Sequence, residues 1–181
     1  MASTSEAGAA SQFRPMETIR TERLLLRRAR PGDLEDIHSV LSDPRAMRYW
    51  STPPHATIDE SRQWLDDMIA TPSDVSDEFV VEFEGGVVGK IGCWRLPEIG
   101  FIFHPRVWRR GVGGEALRAV VPWIFGRHAV PAITADVDPR NAGSLALLSS
   151  VGFRETGRAE RTWHVAGEWC DSVYLALPRP E

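Results

Sequence analysis

Residues 98–125, EIGFIFHPRVWRRGVGGEALRAVVPWIF, decide the fold. An apolar stretch typical of a strand comes first, a glycine-rich turn follows, and an amphipathic helix comes last. Gly111, Gly113 and Gly114 let the backbone of the turn approach a ligand closely. The helix directs unpaired N–H groups and its positive dipole end to the same place. This order predicts a site for phosphate oxygens, although glycine-rich turns also serve as plain tight connections.

A second informative stretch, residues 141–153 (NAGSLALLSSVGF), follows about thirty residues after the turn. Asn141 is a favoured residue at the start of a helix, and Gly152 is a favoured residue just after its end. The apolar residues between them have helical spacing. We therefore expect a short helix from Asn141 to Ser150, packed through Leu145, Leu147, Leu148 and Val151.

Together, the two stretches resemble the GCN5-related N-acetyltransferase (GNAT) superfamily. In that family the first stretch is the acyl-CoA loop, (Gln/Arg)-x-x-Gly-x-(Gly/Ala), and the second is a helix beside the pantetheine arm. Residues 108–113, WRRGVG, match the loop except that Trp108 stands where Gln or Arg is commonest. This Trp, residues 21–44 and the closing GEWCDSVYLAL are similar to the Rim-type branch, the ribosomal-protein N-terminal acetyltransferases and their relatives. The likeness runs from about Thr21 to Leu177.

The resemblance implies one domain, residues 17–181, of the α/β (α+β) class. We expect a mixed, mostly antiparallel, twisted sheet of about seven strands with helices on both faces. Gly85 and Gly86 predict a hairpin connection, and the long helix is expected from Ala116 to Phe125. Acyl-CoA would enter where the strands at Glu98 and Ile133 splay apart. Residues 1–16 are small and polar, which predicts a disordered N-terminal arm.

Acetyl-CoA is the cosubstrate that the resemblance implies. The turn would bind its phosphates through backbone N–H groups and through one of two arginines, and strand N–H groups near Ile102 would bind the thioester carbonyl. Arginines beside a turn are, however, often only solvated. The expected cosubstrate-binding residues are Ile102, Phe103, Arg109, Arg110, Gly111, Val112, Gly113, Gly114 and Asn141.

Three residues are candidates for the chemistry. Glu98 matches the general base proposed for many family members, and its alternative is a solvated carboxylate at the start of a strand. The family often places a Tyr near the leaving thiolate, on the helix that follows the Asn, but residues 141–150 contain no Tyr. Ser144 matches the Rim-type candidate that protonates the thiolate, or it only bonds the local backbone. Asn141 binds pantetheine, caps its helix, or does both.

The acceptor site is expected near Tyr49 and Trp50, in a proline-rich loop, and near Trp169 and Asp171 in the last hairpin. A hairpin carboxylate such as Asp171 is also common as a plain surface group. We expect an amine acceptor, with a protein N-terminal α-amine favoured because its pKa of about 7.7–8.0 requires little deprotonation. A small amine (polyamine, amino acid or aminoglycoside) and a non-catalytic acyl-CoA sensor are the alternatives. The short connection at Leu96 and Pro97 predicts an open acceptor mouth on that side.

Composition narrows the function classes. A net charge of −4 argues against nucleic-acid binding, which needs clustered Lys and Arg. Five scattered histidines show no metal-ligand spacing, so no metal is expected, and no apolar run is long enough to span a membrane. Two separate cysteines, Cys93 and Cys170, are typical of a reducing compartment, here the cytoplasm. Most of the seven tryptophans are predicted to be core residues, and either a monomer or a homodimer is expected.

Overall fold

The computed structural model describes residues 17–181, so the predicted N-terminal arm lies outside the described residues. The predicted mixed α/β class is confirmed, with eight strands in place of about seven. The additional strand precedes the first predicted one and pairs with it. The strands are β1 (Thr18–Arg20), β2 (Leu24–Arg27), β3 (Asp77–Phe83), β4 (Gly86–Arg95), β5 (Glu98–Phe103), β6 (Ala132–Val137), β7 (Arg154–Val165) and β8 (Glu168–Pro178).

Four α-helices connect the strands: α1 (Leu34–Leu41), α2 (Ile58–Ala70), α3 (Val112–Arg127) and α4 (Ala142–Ser150). The long helix α3 begins at Val112, four residues before the predicted start at Ala116. Gly111 is its N-cap in the left-handed region, with φ of 78°, and the amide of Glu115 already donates to the carbonyl of Gly111 at 3.0 Å. The intervening glycines therefore belong to the first helical turn.

The β3–β4 and β7–β8 hairpins use tight two-residue turns. The turn between β3 and β4 consists of Glu84 and Gly85, with φ of 52° and 85°, so the prediction of Gly85 and Gly86 is wrong by one residue. Gly86 instead pairs with Phe83 as the first residue of β4. Two positive φ values match the twist of the flanking strands, and a glutamate takes the first of these positions. The turn between β7 and β8 lies at Ala166 and Gly167, as predicted.

The core has one layer on each side of the sheet, which confirms helices on both faces. On one side α3 and α4 cover the sheet through residues such as Leu117 and Leu148. On the other side α1 and α2 pack Ile37 and Leu65 against Val80. Because strand side chains alternate between faces, β3 contributes to both layers.

The sheet opens between β5 and β6. These two strands are parallel and pair at a single position, Glu98 with Thr134. The amide of Thr134 donates to the carbonyl of Pro97 at 3.0 Å. All other neighbouring strands pair antiparallel over three or more residues. The predicted splay is therefore present, and beyond the first residue of β5 the strand edge facing β6 is open.

The tryptophans do not match their predicted burial. Four of the seven are at least 40% exposed, so the expectation that most are core residues is wrong. Their exposed rings keep partners nonetheless, because several indole N–H groups bond polar groups at the surface or in a cavity. The exposed tryptophans are Trp94, Trp108, Trp163 and Trp169.

Over residues 17–181 no helix combines the length and the hydropathy that a membrane crossing requires.

Candidate active site

A cavity of about 610 Å³ lies beside the open end of β5. Its walls come from the loop before α2, from α2 itself, from the central strands, from the start of α4 and from the β7–β8 hairpin. Six of the residues predicted from the sequence line this cavity: Tyr49, Trp50, Glu98, Asn141, Ser144 and Asp171.

Glu98 is the first residue of β5 and is held by two donors. The indole Nε1 of Trp94 donates to its Oε1 at 3.1 Å, and Nη2 of Arg95 donates to its Oε2 at 3.3 Å. Neither partner was predicted from the sequence, where the alternative for Glu98 was a solvated carboxylate. The Glu98 side chain remains 22% exposed at the cavity. A carboxylate so placed can accept a proton directly or through water.

The start of α4 brings the other two candidates to the same cavity. The side-chain oxygen of Asn141 accepts from the amide of Ser144 at 3.1 Å, so Asn141 caps the helix. The side chain of Ser144 is half-buried, and within residues 17–181 its hydroxyl makes no hydrogen bond. The Ser144 hydroxyl can therefore donate to a group in the cavity.

The glycine turn packs closely against its neighbours. A Cβ at Gly113 would lie 3.0 Å from Cδ2 of Leu147 and 3.5 Å from Cε2 of Phe103, so glycine is what lets α3 approach α4 and β5. Gly114 has more room, since its nearest neighbour would be the flexible end of Arg118. The side chain of Val112 is buried, which leaves only its backbone N–H for a ligand.

The two arginines of the turn differ in their partners. Arg110 pairs with Glu84 at 2.6 Å and lies over the ring of Phe83. Arg109, with a φ of 61°, forms no ion pair with any residue from 17 to 181. Of the two guanidinium groups, that of Arg109 is the one available to an anion.

The open edge of β5 offers backbone N–H groups. His104 donates its amide to the carbonyl of Val88 at 2.8 Å, and alternation along the strand turns the amide of Ile102 to the same side, towards β4. The amides of Phe101 and Phe103 therefore face the gap. The indole of Trp108 also bonds the carbonyl of Phe103, at 2.9 Å. The open edge thus presents Phe103 and not Ile102, whose side chain lies in the core.

The cavity wall is rich in aromatic and acidic side chains. Six aromatic residues line it, among them Trp64, Phe101 and Trp163. Three cationic residues line it too, but two of them are already paired with carboxylates: Lys90 with Glu78, and Arg140 with two acids of the wall. The seven carboxylates are Asp67, Glu78, Glu98, Asp136, Asp138, Glu168 and Asp171.

In the last hairpin the structure separates the two predicted acceptor residues. Asp171 lines the cavity, where its Oδ1 accepts from the amide of Arg161 at 2.9 Å. Trp169 lies outside the cavity lining, with its ring 5.0 Å from that of His164. Trp163 lines the wall instead and donates to Asp136 at 3.0 Å. Cys170, which pairs with Trp163, faces the cavity, so its neighbour Trp169 faces away. Asp171 breaks this alternation, because it lies at the register shift between the Ala159–Ser172 and Trp163–Cys170 pairs.

Two further cavity residues were missed from the sequence, and one of them left a signal. Lys90 is a single charge inside the apolar run VVGKIGC, and the structure buries it in an ion pair with Glu78. A lone charge in a buried strand predicts a buried partner. Trp94 gave no such signal, because its position depends on the strand pairing.

No three His, Cys, Asp or Glu side chains within residues 17–181 are grouped to hold a metal ion.

Comparison with known proteins identifies the fold. The family model "Acetyltransferase (GNAT) domain" matches residues 23–154. The uncharacterized N-acetyltransferase p20 of Bacillus licheniformis is 29% identical, over 92% of this chain and 98% of its own. The [ribosomal protein uS5]-alanine N-acetyltransferase of Escherichia coli is 28% identical over 50% of this chain and 46% of its own, which confirms the resemblance to the Rim-type branch.

A solved structure gives the same fold with its ligands. The spermidine N-acetyltransferase of Vibrio cholerae, in complex with CoA and spermine, superimposes with a TM-score of 0.75. It is 21% identical, over 87% of this chain and 96% of its own. The sheet with its open gap, the glycine turn before α3 and the matching family model agree with one another. The chain therefore belongs to the GNAT family, and it is an N-acetyltransferase.

Proposed function

We propose that the protein transfers the acetyl group of acetyl-CoA directly to a primary amine while both are bound. The observation that carries this proposal is the position of Glu98. Its carboxylate stands at the one position where β5 and β6 still pair, with the open strand edge on one side and the acidic cavity on the other. Acetyl-CoA bound in the gap and an amine bound in the cavity would meet at this carboxylate.

The donor side is supported by the groups around the gap. The backbone N–H groups at the start of α3 and the guanidinium of Arg109 suit the phosphates of acetyl-CoA. The pantetheine arm would lie along the open edge of β5. There the amide of Phe103 or Phe101 can donate to the thioester oxygen, where negative charge develops during the reaction.

The chemistry then needs two proton transfers. The neutral amine nitrogen attacks the thioester carbon, a C–N bond forms, and the C–S bond breaks. Glu98 takes the proton that the amine loses, directly or through water. The departing thiolate takes a proton directly from water or through the Ser144 hydroxyl, which water then reprotonates, and Ser144 lines the same cavity. The products are an N-acetyl amide and CoA.

The acceptor is proposed to be a cation before it reacts. Seven carboxylates against three cationic side chains attract an ammonium group, and aromatic walls add cation–π attraction. A protein N-terminal α-amine is the favoured acceptor, because a larger fraction of it is already neutral near pH 7. Deprotonating an amine of pKa near 10.4 would require roughly 3–4 kcal/mol more than an α-amine.

A polyamine is the second candidate acceptor. The excess of acidic side chains in the cavity favours a molecule with more than one ammonium group. The two acceptors match the two relatives, one named for a ribosomal-protein alanine and one for spermidine. A panel of N-terminal peptides, polyamines, amino acids and aminoglycosides, assayed by release of free thiol from acetyl-CoA, distinguishes them.

Glu98→Gln tests the reaction itself. We expect the variant to bind acetyl-CoA normally in calorimetry and to lose turnover by about 10²- to 10⁴-fold. Glu155→Gln is the matched control, since Glu155 pairs with Arg158 on the exposed face of β7. Full turnover by Glu98→Gln would overturn the role of this base. Acetyl-CoA binding without turnover on any amine of the panel would favour an acyl-CoA sensor.

A further inference from the structure

The end of β4 contains an irregularity that concerns Glu98. Cys93 pairs with Ile99, but the next pair is Arg95 with Glu98, so Trp94 is an extra residue in β4. Such a bulge re-aims the side chains on either side of it and is common beside active sites. In a regular strand, alternation would direct the consecutive residues Trp94 and Arg95 to opposite faces of the sheet.

Both re-aimed side chains reach the same carboxylate. Trp94 donates to one oxygen of Glu98 and Arg95 to the other. Two contacts orient the indole ring. Its N–H bonds Glu98, and the Arg95 guanidinium lies 4.7 Å from the ring centroid. Trp94 is 40% exposed at the cavity, and these two contacts favour one orientation of its ring.

We propose that Trp94 is a positioning residue for acetyl transfer, which aims the carboxylate of Glu98 at the acceptor amine. This inference rests on the proposed function of Glu98. The N–H of Trp94 holds one carboxylate oxygen and so fixes the rotation of the group. The remaining lone pairs then point into the cavity, where the amine arrives.

The indole contributes more to this positioning than Arg95 does. An indole has two side-chain torsions and no charge, so it fixes the carboxylate with little loss of side-chain entropy. The Arg95 side chain is 65% exposed and its contact is longer, at 3.3 Å, so water competes for the same oxygen. We therefore expect Arg95→Gln to lower kcat less than threefold.

The test replaces only the indole donor. Trp94 is exchanged for 3-benzothienylalanine, which keeps the shape of the indole but carries sulfur in place of N–H, and in parallel for Phe. We expect kcat to fall roughly tenfold, with KM for acetyl-CoA changed less than twofold, because the donor side of the site is untouched. Tyr174→Phe, at an exposed ring outside the cavity, is the matched control and keeps normal turnover.

The pH profile gives a readout that a loss of packing would not move. An N–H donor favours the ionised carboxylate, so without it we expect the acid limb of kcat/KM to shift to higher pH. The other titratable and charged groups facing this region stay the same in both proteins. They are Glu78 on β3, Lys90, Cys93 and Arg95 on β4, Asp136 on β6 and Asp67 on α2.

The outcomes separate this inference from the proposed function. A benzothienylalanine protein that binds acetyl-CoA and keeps the normal kcat and acid limb overturns the positioning role. So does a loss seen with Phe but not with the sulfur analogue, because that pattern identifies packing of the ring. If Glu98→Gln itself keeps full turnover, the base assignment fails instead, whatever the Trp94 variants do.

Discussion

Replacing Lys90 by Met is expected to destabilise the protein strongly. The Lys90 side chain is 2% exposed and forms an ion pair with Glu78, which is 9% exposed. Its ammonium also lies 5.2 Å from the ring centroid of Trp50 and 5.9 Å from that of Trp64. Met keeps the length and apolar stem of Lys but removes the charge. The carboxylate of Glu78 then retains one side-chain donor, Ser76 at 3.1 Å.

The expected loss follows from the unpaired carboxylate. Breaking a buried ion pair on one side destabilises a protein by about 3–5 kcal/mol, because the other charge remains buried without compensation. In a chain of 150–250 residues each kcal/mol lowers the melting temperature by about 2–4 °C. We therefore expect Lys90→Met to melt about 6–20 °C below the unaltered protein, measured by calorimetry at pH 7.

The double variant Lys90→Met, Glu78→Gln identifies the cause. Removing both charges leaves neutral, similar side chains, so most of the lost stability should return, to within about 1–2 kcal/mol of the unaltered protein. Glu78→Gln alone leaves the buried ammonium, which keeps its contacts with two rings, and is expected to fall between the two. A Lys90→Met protein that loses less than about 1 kcal/mol, or that melts no lower than the double variant, would refute the reasoning.

Three further outcomes follow from the geometry. Arg109→Ala should weaken acetyl-CoA binding about tenfold in calorimetry, and Arg110→Ala less than threefold, because Arg110 is engaged by Glu84; equal losses would contradict the assignment. Burial raises the pKa of the Cys93 thiol to about 12, so Ellman's reagent at pH 8 should titrate only the half-exposed Cys170 in the native protein and both thiols in denaturant. The hydrogen bond from Arg45 lowers the pKa of Asp43 to about 2. The stability that this bond contributes is present above pH 4 and lost as the pH falls towards 2, so the stability of Asp43→Asn should depend less on pH over that range in urea unfolding.

Local sequence signals predicted the part of the fold that surrounds the donor site. The strand at Glu98, the glycine turn and the helix after Asn141 each depend on the spacing of neighbouring residues, and all three are present. The exact start of α3 was missed, because glycines normally disfavour helix and only the packing of Gly113 against Leu147 explains their place in the first turn.

The acceptor side was predicted less well, for a different reason. Which side chains meet there depends on how strands pair across the sheet. The extra residue at Trp94 changes which face two side chains take, and the pairing of Lys90 with Glu78 joins two strands. Trp163 lines the cavity, where Trp169 was predicted. The sequence does not show which face of a strand is buried until one of its residues is known to be buried.

The single pairing position between β5 and β6 makes the gap a mechanical seam. On each side of it the strands are joined by ladders of six residue pairs, whereas only one pair crosses it. The sheet thus consists of two stiff plates, connected at one corner and bridged on one face by α3 and α4. A ligand bound in the gap can supply hydrogen bonds between the two halves of the sheet. We expect such a ligand to stiffen the protein at the gap, and a pulling force to separate β5 from β6 first when the gap is empty.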